Sequence, residues 1–115
     1  MHEFEQIIEK IKVFRDQRDW MQFHNPKDMA AAIALEVAEL QQIFLWKSPD
    51  EVTQVADEKR SQIEEEIADI AIFLFELVDN LQIDLPAAMN AKLDKNAEKY
   101  PVEKSKGSHA KYNEL

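Results

Sequence analysis

The stretch at residues 62–81, QIEEEIADIAIFLFELVDNL, decides the fold. Ile63, Ile67, Ile70, Leu74, Leu77 and Leu81 recur at spacings of three and four, the period of a helical seam and not of a strand. The middle, IADIAIFLFELV, is apolar almost all round, as befits a helix at the centre of a bundle. The same run carries Glu66 and Asp69 three apart, with no lysine or arginine inside it to neutralise them. An ionised carboxylate buried without a partner is costly enough that it takes a proton or finds a positive charge.

Upstream, ALEVAEL at residues 34–40 repeats the pattern with Glu36 and Glu39. It sits in a second helix, expected from about Lys27 to Trp46, whose stripe is Met29, Ile33, Val37, Leu40 and Phe44. At roughly 100° per residue, Glu36 falls within that stripe and Glu39 at its edge. Glu66 likewise lies beside Ile70 and Phe73, with Asp69 one step further round. If the two helices pack antiparallel through their apolar stripes, the four carboxylates converge and repel one another. Hard oxygen ligands of this kind suit Mg²⁺, Mn²⁺ or Ca²⁺. Taken singly, an acid pair at i, i+3 reads as a solvated helix rim; two such pairs in apolar helices favour a divalent cation site. Zinc is disfavoured because no histidine sits near either pair, and a di-iron bundle would need Glu-x-x-His.

The rest of the chain is helical as well. Phe4, Ile7, Ile8, Ile11 and Phe14 predict a first amphipathic helix of about four turns. An Asn-Pro pair at 25–26 marks a loop before the second helix. The polar VTQVADEKRSQ at 52–62 reads as a short helix or an extended loop. Asp84 is a candidate N-cap with Pro86 in the first turn of a helix running to about Tyr100. The polar stretch after Pro101 reads as a flexible tail. The expected fold is all-α: one domain over residues 1–115, a bundle of four main helices with a polar tail from about 101. Because the helix at 62–81 is apolar on more sides than one chain of 115 residues can cover, a homodimer or homotetramer is expected.

Composition narrows the partners. One glycine and four prolines starve turns, and a net charge of −9 disfavours nucleic acid or an anionic membrane as the main partner. The absence of cysteine excludes disulfides and thiolate metal sites. The acidic, amphipathic start MHEFEQIIEK is neither a signal peptide nor a membrane span, so a cytoplasmic location is expected. An anionic substrate could still bind through bridging cations, which is how phosphoryl chemistry is run. No P-loop or glycine-rich dinucleotide fingerprint is present.

RDWMQFHNP, ALEVAEL, FLWK, EEIADIAIFL, DLPAAMNAKLDKN, KYP and the ending GSHAKYNEL, in that order, resemble the MazG-like all-α nucleoside triphosphate pyrophosphohydrolases, most closely their dCTP pyrophosphatase branch. The resemblance runs from about Phe14 onwards. It implies an Mg²⁺-dependent hydrolase, with Mn²⁺ able to substitute, that cuts a nucleoside triphosphate between the α and β phosphates in nucleotide-pool clean-up. By the same resemblance Glu36, Glu39, Glu66 and Asp69 are the metal ligands and catalytic acids, while Trp20, His24, Trp46, Phe73, Lys92 and Asn96 meet the nucleotide. Lys111 and Tyr112 fit the family's ending. Phe73 stands where dCTP-preferring members carry tyrosine, and Ile11 where they carry a histidine, so dCTP, a modified dCTP, dUTP or a broader range of triphosphates all stay open. The alternatives are a related dUTP-type or phosphoribosyl-nucleotide pyrophosphohydrolase, and a non-catalytic helical interaction protein with a structural metal site.

Overall fold

The computed structural model describes residues 2–115 and, among them, only helices, turns and loops. The chain forms two compact units, the first ending at Leu81 and the second running Gln82–Leu115.

In the first unit, α1 spans Glu3–Gln17, α2 Pro26–Phe44, α3 Pro49–Glu58 and α4 Arg60–Asn80, with a 3₁₀ turn at Met21–Phe23. Local chemistry starts α2 where the Asn-Pro pair predicts: the Asn25 side chain accepts from the Asp28 backbone N–H at 2.9 Å, and Pro26 fills the first turn. The ambiguous segment at 52–62 contains most of α3. Its start was encoded in Ser48-Pro-Asp-Glu51, where the Glu51 carboxylate accepts from the Ser48 backbone N–H at 3.1 Å. Among the described residues the expected four main helices therefore become five, with a sixth short one in the second unit.

The helix at 60–80 is the centre of the first unit, packed against by α1, α2 and α3, most extensively by α2. The buried apolar side chains of the three helices packed on it are Ile8 and Ile11 from α1, Met29 and Ile43 from α2 and Val55 from α3. Phe4 meets Phe75 edge-on at 4.8 Å. The expected stripes are only partly covered, however. Val37 is exposed, Ile67 is 51 % exposed and Leu81 48 %. Ile43, outside the expected stripe, is buried instead. A helix apolar on every side needs more neighbours than three others provide.

In the second unit, α5 spans Leu85–Lys99 and α6 Val102–Ser105. Asp84 caps α5 by accepting from the Ala87 N–H at 3.0 Å. The tail is not featureless: after Gly107, at φ 77°, a 3₁₀ turn at Tyr112–Glu114 brings Tyr112 edge-on to Tyr100 at 6.2 Å. No single helix among the described residues is long and apolar enough to cross a membrane.

Candidate active site

Packing α2 on α4 brings the two acid pairs together. Glu36, Glu39 and Glu66 each offer a carboxylate oxygen, and the three oxygens lie within 4.8 Å of one another. Glu36 and Glu66 are half-buried and Glu39 is exposed, as expected from residues within and at the edge of the packed stripe. Asp69 stays outside this tight trio. It is exposed and lines the adjoining cavity, close enough for its charge to act on both Glu36 and Glu66.

The electrostatics are those of a site short of positive charge. The Glu36 carboxyl is raised above the usual glutamate range, first because burial strips it of water, then through its hydrogen bond to Glu39 and the charges of Glu39, Asp69 and Glu66. Glu66 is raised by the same loss of water, by hydrogen bonding to Glu39, and by Glu39, Asp69 and Glu65. The Oε2 atoms of Glu36 and Glu66 are buried with no hydrogen-bond partner. Buried polar atoms are normally satisfied, and two orphaned oxygens facing a third carboxylate suit a divalent cation. The donor set is all oxygen, which fits Mg²⁺ or Mn²⁺.

Beside the acids lies a cavity of about 410 Å³ between α1, the 3₁₀ region and α4. Its walls are Ile7, Ile11, Phe14, Trp20, Ile72 and Phe73, with His24, Asp69 and Glu76 among the polar groups that reach it. The rings form an edge: Phe14 meets Trp20 at 5.7 Å, Trp20 meets His24 at 6.4 Å, and His24 meets Phe73 at 6.3 Å. Ile11 and Phe73, the two departures noted in the sequence, both line it. Each makes the wall more apolar than a histidine or tyrosine would.

Trp20, His24, Phe73 and Asp69 thus share one cavity, next to the acidic trio. Trp46 is not in its lining; it projects from the end of α2, 91 % exposed, with a left-handed backbone at φ 65°. Lys92 and Asn96 are on one face of α5, four residues apart, in the second unit.

Sequence reading missed a buried polar network on the cavity floor. Glu76 is only 3 % exposed and receives the His24 Nδ1 at 2.8 and 2.9 Å on its two oxygens. The Asn80 amide nitrogen donates to Glu76 Oε2 at 3.0 Å, and the Arg15 guanidinium, itself 8 % exposed, donates to Asn80 Oδ1 at 3.1 Å. Arg15 also donates to Asp16 at 2.8 Å, which raises its pKa further and lowers that of Asp16. The available signal was Glu76 itself, an acid in the apolar run FLFELV.

Residues 31–115 match the MazG-like family, and the chain belongs to it. It is 40 % identical over 104 residues to the dCTP pyrophosphatase 1 of Mus musculus, an alignment covering 89 % of this chain and 61 % of that protein. The dCTP pyrophosphatase 1 of Homo sapiens is 36 % identical over 104 residues, with 89 % and 61 % covered. The chain thus spans about three fifths of the length of these relatives. A crystal structure of a pyrophosphatase from Archaeoglobus fulgidus is 41 % identical and superposes with a TM-score of 0.84, covering 88 % of this chain and 94 % of that one.

Proposed function

We propose that this chain is a nucleoside triphosphate pyrophosphohydrolase, releasing a monophosphate and pyrophosphate from a dCTP-like substrate. The observation that carries this is the convergence of Glu36, Glu39 and Glu66, with two orphaned oxygens, beside an aromatic-edged cavity able to take a base. An acidic pair-of-pairs with no ligand pocket would read as a structural metal site; an apolar pocket without acids would read as a binding module. The similarity to dCTP pyrophosphatases of two mammals supports the substrate class.

Glu36, Glu39, Glu66 and Asp69 would hold Mg²⁺, with Mn²⁺ as a substitute. When bound, the cation supplies the positive charge that a triphosphate needs next to carboxylates, and makes water more acidic. Trp20 and Phe73 offer ring surfaces to the base, and His24 offers it one polar contact. Trp46, Lys92 and Asn96 are assigned to the nucleotide by the family resemblance, Lys92 and Asn96 toward phosphate and sugar or base. The exposed apolar side chains Leu35, Ile67 and Leu74 favour assembly as a homodimer or homotetramer, whose partner copy would cover them. By the same resemblance the role is clean-up of a cytoplasmic nucleotide pool.

The test is incubation of the purified protein with Mg²⁺ and each common ribo- and deoxyribonucleoside triphosphate, with products separated by anion exchange. Monophosphate and pyrophosphate, at a rate cut roughly a hundredfold by Glu36→Gln, is the expected result. Folded protein that binds Mg²⁺ and turns over no triphosphate would refute it in favour of a structural metal site.

A further inference from the structure

The network under the cavity has a direction. Arginine has only donors, so the Asn80 atom facing Arg15 is its carbonyl oxygen, and the Asn80 amide nitrogen is left to donate to Glu76. A carboxylate with Arg15 4.0 Å away is an acceptor. The His24 Nδ1 that sits on both oxygens of Glu76 must therefore carry the proton. Every link then runs one way, from Arg15 through Asn80 to Glu76, and from His24 to Glu76. Nε2 is the ring atom left for a ligand, and in the neutral imidazole it can only accept.

We propose that Glu76 is a positioning residue that, acting through His24, sets the hydrogen-bond polarity of the cavity. The site accepts a hydrogen from its ligand, which selects a base presenting an amino group over one presenting a carbonyl at the same edge. This rests on the nucleotide reading of the cavity. It does not involve the acidic trio: the partners of Glu76 are His24, Asn80 and Arg15. Apart from Lys10, Arg15, Asp69 and Glu76, the side chains that line the cavity around His24 are apolar or aromatic, a setting in which a hydrogen bond to Nε2 is stronger than in water. A site built to pair with one hydrogen-bonding group discriminates strongly against a ligand that leaves that group unpaired.

The decisive variant is Glu76→Gln, of the same shape. Its amide has one acceptor oxygen and one NH₂ in place of two acceptors. With the oxygen taken by Asn80, the NH₂ finds its partner in Nδ1, and His24 shifts its proton to Nε2, now a donor. Steady-state kinetics of the full chain with Mg²⁺ should show the ratio of kcat/KM for dCTP over dUTP falling tenfold or more, with dUTP turnover held or raised. A merely structural role would lower both alike and leave the ratio unchanged, which would overturn the proposal. Long-range ¹H–¹⁵N spectra of the unsubstituted protein near pH 8, with the His24 signals identified by loss in His24→Gln, give a readout that needs neither a folded Glu76 variant nor activity. A protonated Nδ1 and a bare Nε2 are expected; the opposite tautomer would overturn the proposal even if dCTP is hydrolysed. Absence of all turnover alongside the expected tautomer would instead count against the pyrophosphohydrolase reading alone.

Discussion

Adding Mg²⁺ to the metal-free protein should raise its melting temperature, and replacing Glu39 by Gln should shrink that gain while leaving the metal-free protein no less stable. Adjacent oxygens on an Mg²⁺ with bonds of about 2.05 Å stand about 2.9 Å apart. The three carboxylate oxygens already lie within 4.8 Å, so they need to close by at most about 2 Å, within the reach of side-chain rotation. Little of the binding energy is therefore absorbed by rearrangement. At a concentration a hundredfold above the dissociation constant, binding to the folded state alone contributes about 2.7 kcal/mol. On a domain of this size that corresponds to a shift of about 10 °C. Glu39→Gln keeps the volume and removes one charge and one good ligand. A tenfold weaker site at the same Mg²⁺ concentration would retain about 1.4 kcal/mol, or about 5 °C. The assay is thermal melting by circular dichroism in EDTA and in Mg²⁺, for both proteins. Equal Mg²⁺ gains, or a variant that melts well below the parent in EDTA, would refute convergence of the acids on a cation.

Metal-free protein should also show an unusual pH profile. Glu36 and Glu66 are raised in the folded state, so the native form binds more protons than the unfolded one between the ordinary glutamate value of 4.5 and the raised values. Their contribution to stability then grows as pH falls through the raised values and is lost as pH rises through them; a melting temperature in EDTA that these two groups do not lift on acidification, by comparison with Glu36→Gln, would contradict the burial. Because protons and metal compete for the same oxygens, the Mg²⁺ gain should shrink over that same acidic range, which titration calorimetry at two pH values checks. Met29 is 1 % exposed at the contact of α2 with the rest of the first unit, so Met29→Ala should cost about 2–5 kcal/mol in urea unfolding. Asp84→Ala should cost about 1 kcal/mol by loss of the α5 cap, measured in the same way.

What could be read from the residues depended on how local the governing interactions are. Both long helices of the first unit and the acid pairs were legible because helical periodicity puts i and i+3 on one side whatever the helix packs against. The start of α3 was legible in principle, through Ser48 and Glu51, but its polar body hid it. Which apolar residues end up covered was not legible: Ile67 and Val37 fit the pattern as well as Met29 does, and only the supply of neighbours separates them. The Glu76 network lay furthest from reach. Its partners Arg15 and His24 are 61 and 52 residues away along the chain, so nothing in any one segment announces that the acid in FLFELV meets a guanidinium and an imidazole. Asp69 shows what spacing leaves open: it lines the cavity while its charge still acts on Glu36 and Glu66.

The two tryptophans of this chain differ in exposure, Trp20 at 42 % and Trp46 at 91 %. Trp20 lies in a ring cluster at the wall of the cavity, while Trp46 stands almost wholly in water. Their emission is consequently separable: acrylamide should extinguish the red-shifted Trp46 signal first, and whatever fills the cavity should act on the bluer Trp20 signal. Any loss of quencher access at Trp46 with rising protein concentration would then report self-association. The chain carries its own optical probes for ligand and for a second copy, one on each ring, with no label to attach.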